Sequence, residues 1–119
     1  MSDNQKEMLV VKYNEANGIV VVKGKSTNLT SLQKYTKLAE KVKSHLESHG
    51  KLTCYLCYEE IGVTTLMFLY DFVDTLQEAH ENGRVVTVFW VVDKKDYLLV
   101  EAGKDLKTVV DFNFKITLV

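Results

Sequence analysis

Two strictly alternating or continuous apolar runs open the chain. Met8-Leu9-Val10-Val11-Lys12-Tyr13 and Ile19-Val20-Val21-Val22-Lys23 are rich in β-branched residues, and such runs predict strands. Asn17-Gly18 between them predicts a hairpin turn, because both residues tolerate positive φ. From Asn28 to His49 the period changes. Leu32, Tyr35, Leu38, Ala39, Val42 and Leu46 fall three and four apart, one apolar stripe of a helix. Thr30 with Gln33 resembles a capping box, and Gly50 stands where a helix stops. Leu52 to Tyr58 predicts a third strand, apolar on both faces and therefore central. A second helix is expected from about Thr64 to Asn82, closing at Gly83. Its start is apolar over more than half its circumference, so that part is either well buried or engaged by a partner. Val85 to Val92 predicts another central strand, Asp96 to about Leu106 a short helix, and Phe112 to Val119 a last strand.

The order is thus β-β-α-β-α-β-α-β. Helices between strands favour parallel pairing, so an α/β fold is expected, with a mixed, mostly parallel sheet and an antiparallel N-terminal hairpin. No repeat, low-complexity tract or linker divides the chain. Residues 8–119 are assigned to one domain, and the polar residues 1–7 to a disordered or extended N-terminus.

Composition narrows the function classes. The 119 residues are 46% hydrophobic and 26% charged, with a formal net charge of −1 and scattered Lys and Arg. A nucleic-acid groove needs a basic stripe, so none is expected. No apolar run is long enough to span a bilayer, and the first residues lack a signal-peptide core, so a cytoplasmic location is expected. Cys54 and Cys57 lie three apart in a strand and point to opposite faces, so they predict neither a metal nor a redox pair.

Further chemistry is sparse. His45 and His49, four apart, could face one metal, but without a third ligand they are assigned to a solvated helix end. His80 suits the negative end of the second helix dipole. Glu59 and Glu60 are expected at a solvated loop edge, and Trp90 in the core. No phosphate-loop, dinucleotide or nucleophile-elbow pattern occurs, and no catalytic residue, metal ligand or cofactor is assigned.

One stretch stands apart. In Gly62-Val63-Thr64-Thr65 two hydroxyls meet a helix start just after two carboxylates. Free amides there suit a phosphate, bound or attached. The local sequence favours the other reading, in which Thr64 or Thr65 caps the helix.

The second half of the chain adds a resemblance. Glu78 to Gly83, Val85 to Trp90, Asp93 to Asp96, Glu101-Ala102-Gly103-Lys104-Asp105-Leu106 and Phe112 to Ile116 together resemble the SiaC-type bacterial regulatory phosphoproteins. That family shares the STAS-like (SpoIIAA-like) fold of anti-sigma-factor antagonists. The resemblance implies a non-enzymatic switch: a serine/threonine protein kinase phosphorylates a hydroxyl at the start of the second helix, a phosphatase removes it, and the unmodified form engages a downstream signalling protein. The family's Asn-Thr-Ser-Ser motif, counted back without gaps, falls on Gly62-Val63-Thr64-Thr65 and puts Val63 at the acceptor position. Thr64, and after it Thr65, are then the candidate phosphoacceptors, and Gly62, Val63, Thr64, Thr65 and Phe68 the expected partner surface. Lys94 and Lys95 stand where the family is acidic, and the family's proline before the last strand is absent. The alternative is a small apolar ligand held between sheet and second helix, and a homo-oligomer is compatible with either.

Overall fold

The computed structural model describes residues 9–27 and 31–119, so the assignment for residues 1–7 and the capping box at Thr30 lie outside the described residues. Strands β1 (Leu9–Asn14) and β2 (Ile19–Ser26) form the hairpin. Helix α1 (Ser31–Ser48), β3 (Lys51–Ile61), α2 (Val63–Glu81), β4 (Val85–Val92), α3 (Tyr97–Thr108) and β5 (Asn113–Leu118) follow in the expected order. β1 pairs antiparallel with β2, and every later pair is parallel.

At the hairpin, positive φ is confined to Gly18 at 63°, and Asn17 does not share it. Glycine is required there for a second reason. A Cβ would lie 2.8 Å from Lys51 O and 3.0 Å from His45 Nε2, too near a fixed backbone oxygen to be accommodated.

Strand order in space is β1-β2-β3-β4-β5, the order of the sequence. Each crossover therefore steps the same way, and crossovers of one hand then carry every helix to the same side of the sheet. Burial agrees. In β3, Leu52, Cys54, Leu56 and Tyr58 are buried, while the residues between them are exposed or half-exposed. β4 repeats the pattern with Val86, Val88, Trp90 and Val92. Against this face lie Tyr35, Leu38, Val42 and Leu46 of α1, Leu69, Phe72, Val73 and Leu76 of α2, and Leu99 and Leu106 of α3.

The expectation that β3 and β4 are central is correct. Although apolar on both faces, they carry a helical layer on one face only; among the described residues the other face meets solvent. Apolar residues on the second face, including Tyr55 and Phe89, gave the sequence its two-sided look.

Two smaller corrections concern polar residues. Glu59 and Glu60 belong to β3 itself, which runs to Ile61, although both are exposed. His45 is only 4% exposed, not solvated. It closes a contact between α1 and the hairpin: Tyr13 Oη lies 2.6 Å from its Nδ1, and its Nε2 lies 2.9 Å from Lys51 O. A carbonyl only accepts, so Nε2 carries the proton. The His49 ring stacks on it at 4.3 Å. His80 packs edge-on to Phe112 at 6.4 Å, near the end of α2.

Candidate functional site

The chain leaves β3 at Ile61 and enters α2 through Gly62, the N-cap, in extended conformation at φ −99° and ψ 176°. No side chain caps this end, so neither Thr64 nor Thr65 plays the capping role expected of it. The reason is where Thr65 points. Its Oγ1 donates to Ser26 O at 2.7 Å and lies 2.6 Å from Ser26 Oγ, and the residue is 4% exposed. Gly62 N donates to the same carbonyl at 2.9 Å. The start of α2 is therefore fastened to the end of β2 by a threonine turned inward.

The first intrahelical bond is Leu66 N to Gly62 O at 3.1 Å. Among the described residues, the amides of Val63, Thr64 and Thr65 have no hydrogen-bond partner. They carry the positive end of the α2 dipole to the surface. Thr64 is exposed there, with Val63 and Met67, which are 77% and 66% exposed. Phe68 is not part of this open edge. It is half-buried and stacks on Tyr35 at 4.4 Å and on Phe72 at 5.5 Å. The exposed apolar side chains of the corner are thus Val63 and Met67. The four-residue spacing of these two shows in the sequence, but nothing there told the outer side of so apolar a helix start from the inner.

Behind the corner lies a buried chain of hydroxyls. Tyr35 Oη donates to Ser26 Oγ at 2.7 Å, and Tyr58 Oη lies 2.9 Å from Tyr35 Oη. Since Thr65 gives its proton to a carbonyl, Ser26 must donate to Thr65; since Tyr35 donates to Ser26, Tyr58 must donate to Tyr35. All four hydroxyls then point one way, from Tyr58 in β3 to the Ser26 carbonyl. Such a chain is satisfied only while every member is present. Thr65→Val keeps the shape and removes the last link, leaving Ser26 Oγ without its acceptor. A loss of about 1–3 kcal/mol is expected from the stranded buried group, read as a lower urea midpoint, with Thr64→Val near neutral as the control.

Beside the corner, the C-terminal ends of β2, β3 and β4 and the start of α3 enclose an open cleft of about 840 Å³. Lys23, Lys25, Glu59, Glu60, Lys95 and Tyr97 contribute to its lining. Asp96 caps α3 by accepting from Leu99 N at 3.2 Å. Cys54 is buried and Cys57 half-exposed on opposite faces of β3. Among the described residues no three His, Cys, Asp or Glu side chains cluster as a metal site.

Fold and corner together define a single-domain α/β module with one helical layer and a surface helix start bearing an exposed threonine. The chain belongs to the SiaC family of regulatory phosphoproteins, whose profile matches residues 3–119. Similar solved structures have the same fold. A chain in the crystal structure of the diguanylate cyclase SiaD in complex with its activator SiaC, from Pseudomonas aeruginosa, superposes with a TM-score of 0.87 at 20% identity, covering 93% of this chain and 92% of that one. Apo-SiaC from the same organism gives 0.86 at 20% identity, covering 93% and 91%. No curated protein sequence matches the chain.

Proposed function

We propose that this protein is a non-enzymatic regulator that binds a signalling protein through the exposed start of α2, and that phosphorylation of Thr64 controls the binding. The observation that carries the reading is the contrast between two adjacent threonines. Thr65 is buried and its hydroxyl donates to a backbone carbonyl, so a kinase would have to open the corner to reach it. Thr64 is exposed on the first turn, beside three amides that have no partner among the described residues. A phosphate there gains from the helix dipole and is repelled by Glu59 and Glu60 close by in sequence. Val63, at the position that ungapped counting assigns to the family's acceptor, is 77% exposed and has no hydroxyl.

The partner class follows from the relatives. SiaC of Pseudomonas aeruginosa is described as the activator of a diguanylate cyclase, and an enzyme of that signalling type is the downstream target proposed here. A serine/threonine kinase and a phosphatase complete the cycle. Val63 and Met67 supply the apolar contact, and a phosphate between them would place about two negative charges inside it. The space between sheet and α2, where a small apolar ligand was the alternative, is filled by Leu69, Phe72, Val73 and Leu76.

The test uses a cognate-type serine/threonine kinase, with intact mass and peptide mapping on the wild type, Thr64→Ala and Val63→Thr. One phosphate on wild type, lost in Thr64→Ala, is expected. Phosphate on Val63→Thr alone would remove Thr64 as acceptor and leave a constitutive binder. Binding is read separately with a purified diguanylate cyclase of the family type, where Met67→Asp is expected to weaken the complex by about tenfold or more.

A further inference from the structure

The uncovered face of the sheet carries an organised surface that the α2 corner does not use. Its central row, in register across all five strands, is Lys12, Val21, Tyr55, Phe89 and Lys115. The row on one side is Val10, Lys23, Cys57, Val91 and Thr117. On the other, Ile19 leads to Thr53 and Thr87, and beyond them Lys51 pairs with Val85. The middle of the face is apolar and aromatic. Four lysines surround it: Lys12 and Lys115 on the outer strands, Lys23 and Lys51 at opposite ends of the inner ones. No carboxylate interrupts these rows; Glu59, Glu60 and Asp93 border the patch only at the end where the row of Lys23, Cys57 and Val91 opens into the cleft. Among the described residues none of the four lysines is ion-paired.

A dry centre within a charged rim is the anatomy of a protein interface. The sign of the rim selects the occupant. Two copies of this chain placed face to face would oppose lysine to lysine, so the surface does not complement itself. Nucleic-acid bases need exposed ring faces to stack upon. Here Tyr55 and Phe89 stack on each other at 4.9 Å and 9°, and Lys115 Nζ lies 5.9 Å from the Phe89 centroid. The Phe89 ring is thus occupied on both faces, and apolar side chains remain the better fit. A helix laid along the strands would complete a second helical layer, the usual way to bury a sheet's other face.

We infer that this face docks an acidic amphipathic helix of a partner protein: an apolar stripe over Tyr55, Phe89 and Val91, flanked by Asp or Glu toward the lysines. The site is separate from the α2 corner, on the opposite side of the sheet, and does not depend on phosphorylation.

The probe is a synthetic helical peptide with a Leu stripe and Glu flanks, titrated into the isotope-labelled full chain. A control peptide has each Glu replaced by Lys. Expected are amide shifts confined to the uncovered face of β2, β3 and β4, with about tenfold weaker binding after Lys12→Glu with Lys115→Glu, and again after Tyr55→Ser. Unchanged thermal melting of these surface variants certifies their folding. Equal binding of both peptides, no binding, or shifts confined to the start of α2 would overturn the inference. So would a preference of this face for a uridine oligomer or for phosphatidylserine vesicles, or self-association through it in sedimentation.

Discussion

Replacing Gly103 with alanine lowers stability, and with leucine lowers it by about 3 kcal/mol or more. The sign is the informative part. In an exposed helix a Gly to Ala change gains up to about 1 kcal/mol from propensity. In α3, Gly103 is buried against the indole of Trp90. A Cβ there would lie 2.4 Å from Trp90 Cδ1 and 2.5 Å from Nε1. The ring has little freedom to retreat: Trp90 is fully buried, its Nε1 donates to Leu99 O at 2.9 Å, and Tyr58 and Phe114 flank it at 5.5 and 6.5 Å. Urea titrations followed by circular dichroism and tryptophan fluorescence give the comparison. A more stable Gly103→Ala variant would mean that α3 stands away from the sheet.

The second large effect is an alkaline loss of stability. Burial pushes the Cys54 thiol up from 9.0 to about 12. Tyr58 is raised well above 10.0, first by burial and then by its neighbour Tyr35, which also accepts its hydrogen bond, with Cys57 adding to the effect. Both groups hold protons in the folded state that the unfolded chain releases. Their contribution is therefore complete below about pH 9 and is lost as pH rises through the folded-state values. Each fully separated group gives a slope of about 1.4 kcal/mol per pH unit, so Cys54 alone accounts for something on the order of 4 kcal/mol by pH 12. Unfolding free energies should hold up to about pH 9 and fall steadily from there to about pH 11, and Cys54→Val should flatten part of the fall. A pH-independent stability over that range would show that these groups ionise as easily folded as unfolded.

Element order and type were legible because α1 carries one clear stripe, α2 a long apolar helix pattern closed by Gly83, and most strands an apolar, β-branched run. Pairing followed from helices separating the strands. The elements that resisted were those where two faces had to be told apart. Tyr55, Phe89 and Val91 are apolar yet lie on the uncovered side of the sheet, and pattern alone cannot distinguish a surface meant for a partner from a core. The same limit hid Met67. Thr65 was legible as a hydroxyl at a helix start but not as an inward one, since its partner Ser26 is 39 residues away. His45 failed similarly: its partner Tyr13, 32 residues earlier, is brought beside it only when α1 packs over the hairpin. Gly103 and Trp90 lie in two separate stretches that carry the family resemblance, and only the structure brings them together, where their contact leaves no room for a Cβ.

The agreement between spatial and sequence order of the strands bears on biosynthesis. A ribosome delivers the chain from its N-terminus, and here no ladder has to wait for a strand that emerges later to be inserted between its members. The hairpin can close first, and each helix-strand unit can then be added to a finished edge. The growing intermediate exposes only one unfinished edge on the side still being built.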